Sequence, residues 1–189
     1  LVGSEMCIRD SPVVYAMGYT PNYDTDIIRI DNAKTAPTPS TKLNILNYNT
    51  DRLPEQIRIN PNDKNTIYVT SSNGNAYEVS GINTDNWTKK SIKGDISDVV
   101  FNLVISVEGN SNILIAGTNV GLFYSENGGT TWTISNEIPH TQVTDLKLRP
   151  SDNRLFVFTH GRGAWATTIS PIITNLTESI AVNYNVYPN

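Results

Sequence analysis

The sequence predicts an all-β fold, a partial β-propeller of about three to four four-stranded blades. Three observations lead there. Short runs rich in Val, Ile, Tyr, Phe and Thr alternate with turns built from Asn, Gly, Asp and Pro, which is the composition of strands and their connections. No stretch places apolar residues at the helical spacing for long enough to make a confident helix. Finally, the chain repeats itself. Lining up Tyr77, Phe123 and Trp165 gives a period of roughly 45 residues, the length of one four-stranded blade.

The copies follow one another along the chain. Val13-Val14-Tyr15-Ala16 with Asp26-Ile27-Ile28-Arg29-Ile30 is a degenerate first copy. The stretch from Thr35 to Ser40, with Pro37 and Pro39, reads as an exposed loop between early strands. The second copy is Ile57-Arg58-Ile59-Asn60-Pro61, then Ile67-Tyr68-Val69-Thr70, then Ala76-Tyr77-Glu78-Val79. The third is Asp98-Val99-Val100-Phe101, Ile113 to Thr118, and Gly121-Leu122-Phe123-Tyr124, with an insertion expected around Ser106 to Asn110. The fourth is Leu146-Lys147-Leu148-Arg149-Pro150, Leu155 to Thr159, and Ala164-Trp165-Ala166. A four-stranded sheet has two faces to bury and cannot bury them alone, so copies stack around an axis. An arc of blades shorter than a ring leaves one apolar face uncovered at its end.

Composition narrows the function classes. Of 189 residues, 38% are hydrophobic and 17% charged, with a net charge of -4. A mildly acidic surface has no electrostatic attraction for nucleic acid or an anionic membrane. No apolar run reaches the roughly 18 residues of a membrane span. Residues 1–11, LVGSEMCIRDS, resemble the translation of a sequencing adaptor and are set apart from the fold, which implies a native N-terminus further upstream. The single cysteine, Cys7, falls inside that string. The remaining chain therefore offers no disulfide framework and no thiolate metal site. His140 and His160 are isolated in sequence and no carboxylate cluster has ligand spacing, so no metal and no cofactor is expected.

Ser125-Glu126-Asn127-Gly128-Gly129-Thr130-Thr131-Trp132 fits the pattern Ser-x-Asp/Asn-x-Gly-x-x-Trp. Asn127 can bond backbone groups across a tight hairpin, Gly129 permits positive φ, and Trp132 can pack back and pin the turn. On these residues and the preceding Gly121-Leu122-Phe123-Tyr124, the chain resembles the Asp-box (BNR-repeat) propellers, which include sialidases, sortilin-like receptors and xyloglucanase-type glycosidases. The resemblance implies that Ser125, Asn127, Gly129 and Trp132 are structural and lie away from any active-site rim. A worn copy of the motif runs from Ser80 to Trp87 through Asp85, where only the tryptophan matches well.

Three groups of residues are candidates for chemistry. Asp98 and Asp145 stand at what read as equivalent positions at the start of first strands, where Gln56 stands in the other copy. They could be a glycosidase acid and base, which requires two carboxylates at a defined separation. They could equally be strand-start residues recurring with the blade, and repetition favours that reading. His160-Gly161-Arg162-Gly163 is a Gly-rich turn in which His160 and Arg162 could contact a ligand, Arg162 as a bidentate fork to a carboxylate. It could also be a packed arginine that helps close a ring, the reading favoured here. A sialidase needs three convergent arginines, and Arg58, Arg149, Arg154 and Arg162 do not show that pattern. Trp165 reads as core rather than as a sugar platform.

The tail, residues 172–189, changes character. Ala181-Val182-Asn183-Tyr184-Asn185-Val186-Tyr187-Pro188-Asn189 resembles the opening of the C-terminal sorting domain of the type IX (Por) secretion system, with a plain interdomain strand as the alternative. The organisation expected is thus 1–11 adaptor-like, 12–171 partial propeller, and 172–189 linker and start of a truncated sorting domain. The resemblance implies a secreted or surface protein of a gram-negative bacterium, with the type IX machinery as a partner. Two functions are carried forward: non-catalytic binding of polysaccharide or extracellular protein, and a fragment of a secreted glycoside hydrolase whose active site is incomplete here.

Overall fold

The computed structural model describes residues 4–5, 13–19, 25–35, 38–43, 45–83, 86–169 and 185–186. Among them are four antiparallel four-stranded sheets, each the blade of a propeller arc. The first blade contains β1 (Ser4–Glu5), β2 (Val14–Tyr19), β3 (Thr25–Asp31) and β4 (Thr38–Leu43). After a single-turn helix, α1 (Tyr48–Asp51), the second blade runs β5 (Pro54–Asn60), β6 (Asp63–Ser71), β7 (Ala76–Ser80) and β8 (Thr88–Ser91). The third is β9 (Phe101–Val107), β10 (Asn110–Thr118), β11 (Leu122–Ser125) and β12 (Thr133–Ile134). The fourth is β13 (Val143–Arg149), β14 (Arg154–Thr159), β15 (Gly163–Thr168) and β16 (Asn185–Val186). The inner strands β1, β5, β9 and β13 pack on one another in that order around the axis.

The blades expected from the repeat are all present, and several details differ from the sequence reading. Glu5 and Ser4, within the adaptor-like string, pair with Tyr15 and Ala16 as the inner strand of the first blade. The second half of the Thr35 to Ser40 stretch, expected as loop, belongs to the outer strand β4, with Pro39 opposite Ile30 at a register shift. Proline is tolerated there because an edge strand needs no donor on its free side. The expected insertion around Ser106 to Asn110 is instead a tight turn, with Val107 opposite Asn110. The extra length ahead of the third copy lies mainly in the connection between β7 and β8, since Glu78 pairs with Lys90 whereas its counterpart Tyr124 pairs with the nearer Thr133. Asn185–Val186, in the tail, are the fourth strand of the last blade, opposite Ala166 and Trp165.

Cross-strand partners share a face of the sheet, so the registers tell which side chains face which neighbour. Ile57, Val69 and Tyr77 face back to the first blade, whereas Arg58, Tyr68 and Glu78 face forward to the third. Each core therefore lies in a seam between blades. The first seam holds Tyr15, Met17, Ile27, Ile57, Ile67 and Val69. The second holds Tyr68, Ala76, Ile92, Phe101, Leu114 and Trp132. The third holds Leu103, Ile113, Ile115, Leu146, Leu155 and Val157. Central strands are covered on both faces, which is why Thr66 to Ser71 on β6 and Ile113 to Thr118 on β10 are buried without alternation.

The forward face of the fourth blade has no blade over it among the described residues. Phe158 occupies the register position of Thr70 and Gly117, both of which are buried, yet it is 38% exposed. Its neighbour Phe156 lies under two guanidinium groups, with Arg149 at 5.3 Å and Arg154 at 5.7 Å from the ring centre. The third seam also contains a cleft of about 250 Å³ between β11–β12 of the third blade and Leu155, Thr167 and Ile169 of the fourth.

Candidate functional site

Because strands alternate in direction, the turn between a blade's second and third strands leaves the sheet at the same end as the link to the next blade. That end gathers α1, the turns at Ser72 to Asn75 and Asn119 to Gly121, and His160 to Gly163. It is the loop face on which a ligand site would be built.

At its outer side lies a buried carboxylate that no sequence motif marks. Asp51, 0% exposed, closes α1. Its Oδ1 accepts from the Tyr77 hydroxyl at 2.5 Å and from Asn75 Nδ2 at 2.9 Å, and its Oδ2 from Asn47 N at 3.0 Å. Lys89 Nζ stands 3.6 Å from Oδ2, 4.4 Å from the Tyr77 ring centre, and donates to the Ile45 carbonyl at 2.8 Å. Burial opposes the charge, but the hydrogen bonds from Tyr77, Asn47 and Asn75 and the Lys89 cation outweigh it and hold Asp51 below the usual carboxylate range. Burial and the Asp51 charge push the Tyr77 phenol well up. Asn73 Nδ2 also donates to the Thr50 carbonyl, so the Ser72 to Asn75 turn is buttoned to α1. The Asn47 cap ahead of Tyr48 is a visible signal, because its side chain accepts from Asn49 N. The partnership with Tyr77 is not, since it crosses a whole sheet.

The candidate acids Asp98 and Asp145 are not equivalent. All three described inner strands of the later blades carry a bulge at the same place, between Pro54 and Gln56, Phe101 and Leu103, and Val143 and Asp145. That register makes Leu103 the counterpart of Asp145 and Gln56. Asp98 instead lies in an exposed turn ahead of β9, and the strand that was expected to begin there begins at Phe101. Asp145 is engaged at the axis. Its Oδ1 accepts from Arg58 Nη2 at 2.8 Å, across the third blade, and Lys147 Nζ lies 3.7 Å from Oδ2. Burial pulls the Arg58 guanidinium below its ordinary value, against the opposing pull of Asp145.

His160 and Arg162 stay on an exposed turn. His160 N donates to the Gln142 carbonyl at 2.8 Å, and Thr141 Oγ1 to the His160 carbonyl at 3.3 Å. The histidines, isolated in sequence, thus come from adjoining loops. The Arg162 carbonyl accepts from Trp165 Nε1 at 3.1 Å, while its guanidinium makes no ion pair among the described residues. Among the described residues Arg162 is exposed. Among the described residues there is no group of three or more potential metal-ligating side chains and no helix long and apolar enough to cross a membrane.

The 125–132 hairpin has the local geometry expected of it. Asn127 Oδ1 accepts from Thr130 N at 3.1 Å and Thr131 N at 2.9 Å, and Ser125 Oγ accepts from Gly129 N at 2.9 Å. Gly129 has φ 81° and a Cβ there would lie 2.7 Å from Ile92 Cβ, so only glycine fits. Trp132 goes further than its own turn. It crosses the seam, stacks edge-on against Phe101 at 5.3 Å, and donates from Nε1 to the Ile92 carbonyl at 2.9 Å and from N to Asp95 Oδ1 at 3.0 Å. Trp87 packs likewise against the first seam; Asp85 lies outside the described residues. Sequence reasoning also missed Asn102, on the bulge of β9. Its carbonyl accepts from Thr70 Oγ1 and its Nδ2 donates to the Val143 carbonyl, both at 2.8 Å, linking three blades.

No family model matches the sequence, and no curated protein matches it. Solved structures do. The β-propeller domain of Cps50 (Swd1) from Myceliophteria thermophila aligns over 90% of this chain and 53% of its own at 12% identity, with a TM-score of 0.64. The GH74 xyloglucanase from Xanthomonas campestris aligns over 88% of this chain and 30% of its own at 12% identity, TM-score 0.54. A chain of a nidogen/laminin complex aligns over 83% and 56% at 16% identity, TM-score 0.57. This chain spans about half or less of the length of these structures. At such identities the shared property is the fold, a β-propeller of four-stranded blades.

Proposed function

We propose that this chain is an arc of a secreted or cell-surface propeller of the Asp-box type that binds polysaccharide or protein through its loop face without catalysis. The observation that carries the reading is the state of the acids. Asp145 is held by Arg58 and Lys147, Asp51 is buried with both oxygens occupied, and Asp98 stands on a turn out of register with either. Hydrolysis of a glycosidic bond requires a poised pair, whereas the exposed His160 and Arg162 present donors suited to recognition. The neighbours named for a xyloglucanase and for a nidogen/laminin complex support a polysaccharide or a protein as ligand class. The tail's likeness to a type IX sorting signal supports export from a gram-negative cell.

The test is binding of the chain to insoluble plant and bacterial polysaccharides and to extracellular matrix proteins, with reducing-end release measured in parallel. Saturable binding weakened roughly tenfold by Arg162→Ala, a loss of about 1.4 kcal/mol, with no new reducing ends, is the expected outcome. Reducing-end release abolished by Asp145→Asn would overturn it in favour of the second reading, a hydrolase fragment.

A further inference from the structure

The cleft in the third seam occupies the place that Trp132 fills in the second. The shared bulge makes Ile115 the counterpart of Tyr68, and Leu155 that of Leu114. Ser135 N donates to the Leu122 carbonyl at 2.8 Å as Ile92 N donates to the Ala76 carbonyl at 3.1 Å, so Ser135 stands for Ile92 and Leu122 for Ala76. Tyr68, Ala76, Ile92 and Leu114 share one core with Trp132; Ile115, Leu122, Ser135 and Leu155 line the cleft. The two seats differ in what answers their polar groups. In the second seam the Trp132 indole donates from Nε1 to the Ile92 carbonyl at 2.9 Å, and Ser125 Oγ receives the Gly129 N–H at 2.9 Å. Thr167 corresponds to Ser125, because it pairs with Leu155 as Ser125 pairs with Leu114. Thr167 lines the cleft at 6% exposure, and its Oγ1 is buried without a hydrogen-bond partner among the described residues. A buried hydroxyl in that state carries a desolvation cost that a ligand donor would remove.

We propose that the third-seam cleft is a binding site for a free, neutral aromatic molecule of one or two rings that carries an N–H or O–H at its edge, an indole or a phenol. The volume is sufficient: about 250 Å³ exceeds the roughly 150 Å³ that holds a benzene ring in an apolar cavity. The floor, from Ile113, Ile115, Leu122 and Leu155, takes the ring, and Thr167 Oγ1 accepts the edge proton. An aromatic ring with a polar handle presents that same division. The opening is bordered by Ser135, Asn136, Glu137 and Thr168. The exposed large hydrophobic side chains among the described residues lie elsewhere, Val120 on the loop face and Phe158 on the forward face of the fourth blade. No apolar surface among the described residues therefore continues outward from the cleft to form the core of a protein interface, and the occupant is a molecule no larger than the cleft. The Glu137 carboxylate at the rim favours a neutral ring over an anionic one. Neither His160 nor Arg162 lines the cleft, so this site is separate from the one proposed on the loop face.

Titration of the full chain with indole, followed through the NMR signals of its isoleucine and leucine methyl groups, tests this. Saturable shifts should be confined to the third seam, at Ile113, Ile115, Leu122 and Leu155, with Ile57 and Ile67 of the first seam unmoved. Benzofuran has the shape of indole without the N–H, and should bind about fivefold more weakly. Thr167→Val keeps the shape of the side chain without its hydroxyl, and should bring the two probes to equal affinity. Absence of saturable shifts, shifts outside the third seam, equal affinities in the wild type, or an indole preference that survives in Thr167→Val would each overturn the proposal. If Thr167→Val fails to fold, the wild-type comparison of the two probes decides alone.

Discussion

The second and third seams join the same kind of blade by the same registers, yet they are closed differently. In the second, the hairpin of the third blade swings an indole back over Phe101 and clips it to the linker at Ile92 and Asp95. In the third, the equivalent space is a cleft with Thr167 at its wall, a hydroxyl without a hydrogen-bond partner among the described residues. Blade stacking alone therefore does not fill a seam. The inner and middle strands make the common core, and an aromatic residue ahead of the fourth strand completes it from outside. A four-stranded sheet splays at its outer edge because it twists, and the space between neighbouring outer edges has to be plugged.

The sharpest way to break the contrast is to give the second seam the cleft of the third. Trp132→Ala removes a side chain that is 7% exposed and both buries and hydrogen-bonds. It should cost about 3–5 kcal/mol, seen as a large fall in the urea midpoint, and a result under about 1 kcal/mol would show that the hairpin is dispensable.

The next effect concerns how the first two blades are held together on the loop face. Asp51→Asn keeps the shape of the side chain but loses the charge that Lys89 and Tyr77 face, and should cost about 1–3 kcal/mol at neutral pH. Since folding depresses the Asp51 pKa, its contribution is complete above the ordinary carboxylate value and is lost as pH falls through the folded value. Urea midpoints across an acid series should therefore converge for wild type and Asp51→Asn. Parallel curves would refute the role of its charge.

The smallest effect is at the axis, where Arg58 bridges the second and fourth blades past the third. Asp145 is 37% exposed on its side chain, so solvent screens the pair. A double-mutant cycle with Arg58→Ala and Asp145→Ala should give a coupling of about 1 kcal/mol that shrinks in salt. No coupling would mean that the blades on either side of the third are joined only through it.

Much of this architecture was legible because it repeats. The strand composition and the spacing of Tyr77, Phe123 and Trp165 marked the blades, and Ser125 to Trp132 marked a hairpin whose internal bonds are local. The errors cluster where repetition is imperfect. Asp98 was aligned with Asp145 because the strand β9 starts only at Phe101, after the turn that carries Asp98, and the bulge at the start of β5, β9 and β13 is invisible as a pattern of residue types. Thr35 to Ser40 looked like loop because Pro39 is tolerated only on an edge, and being an edge is a property of the sheet. Asp51 and Asn102 carried no signal, since their partners lie on other strands and blades.

The sequence by itself determined the strand periodicity, the blade repeat and the turn chemistry of Gly129 and Asn127, because these depend on side-chain alternation and backbone φ within a few residues. Only the tertiary structure decided which face of each blade meets which neighbour, that Asp145 answers Arg58, that Asp51 is buried against Tyr77, and that one seam is plugged by Trp132 while the next holds a cleft. Those outcomes depend on register between strands and on the angle between blades, where a shift of one residue exchanges the two faces.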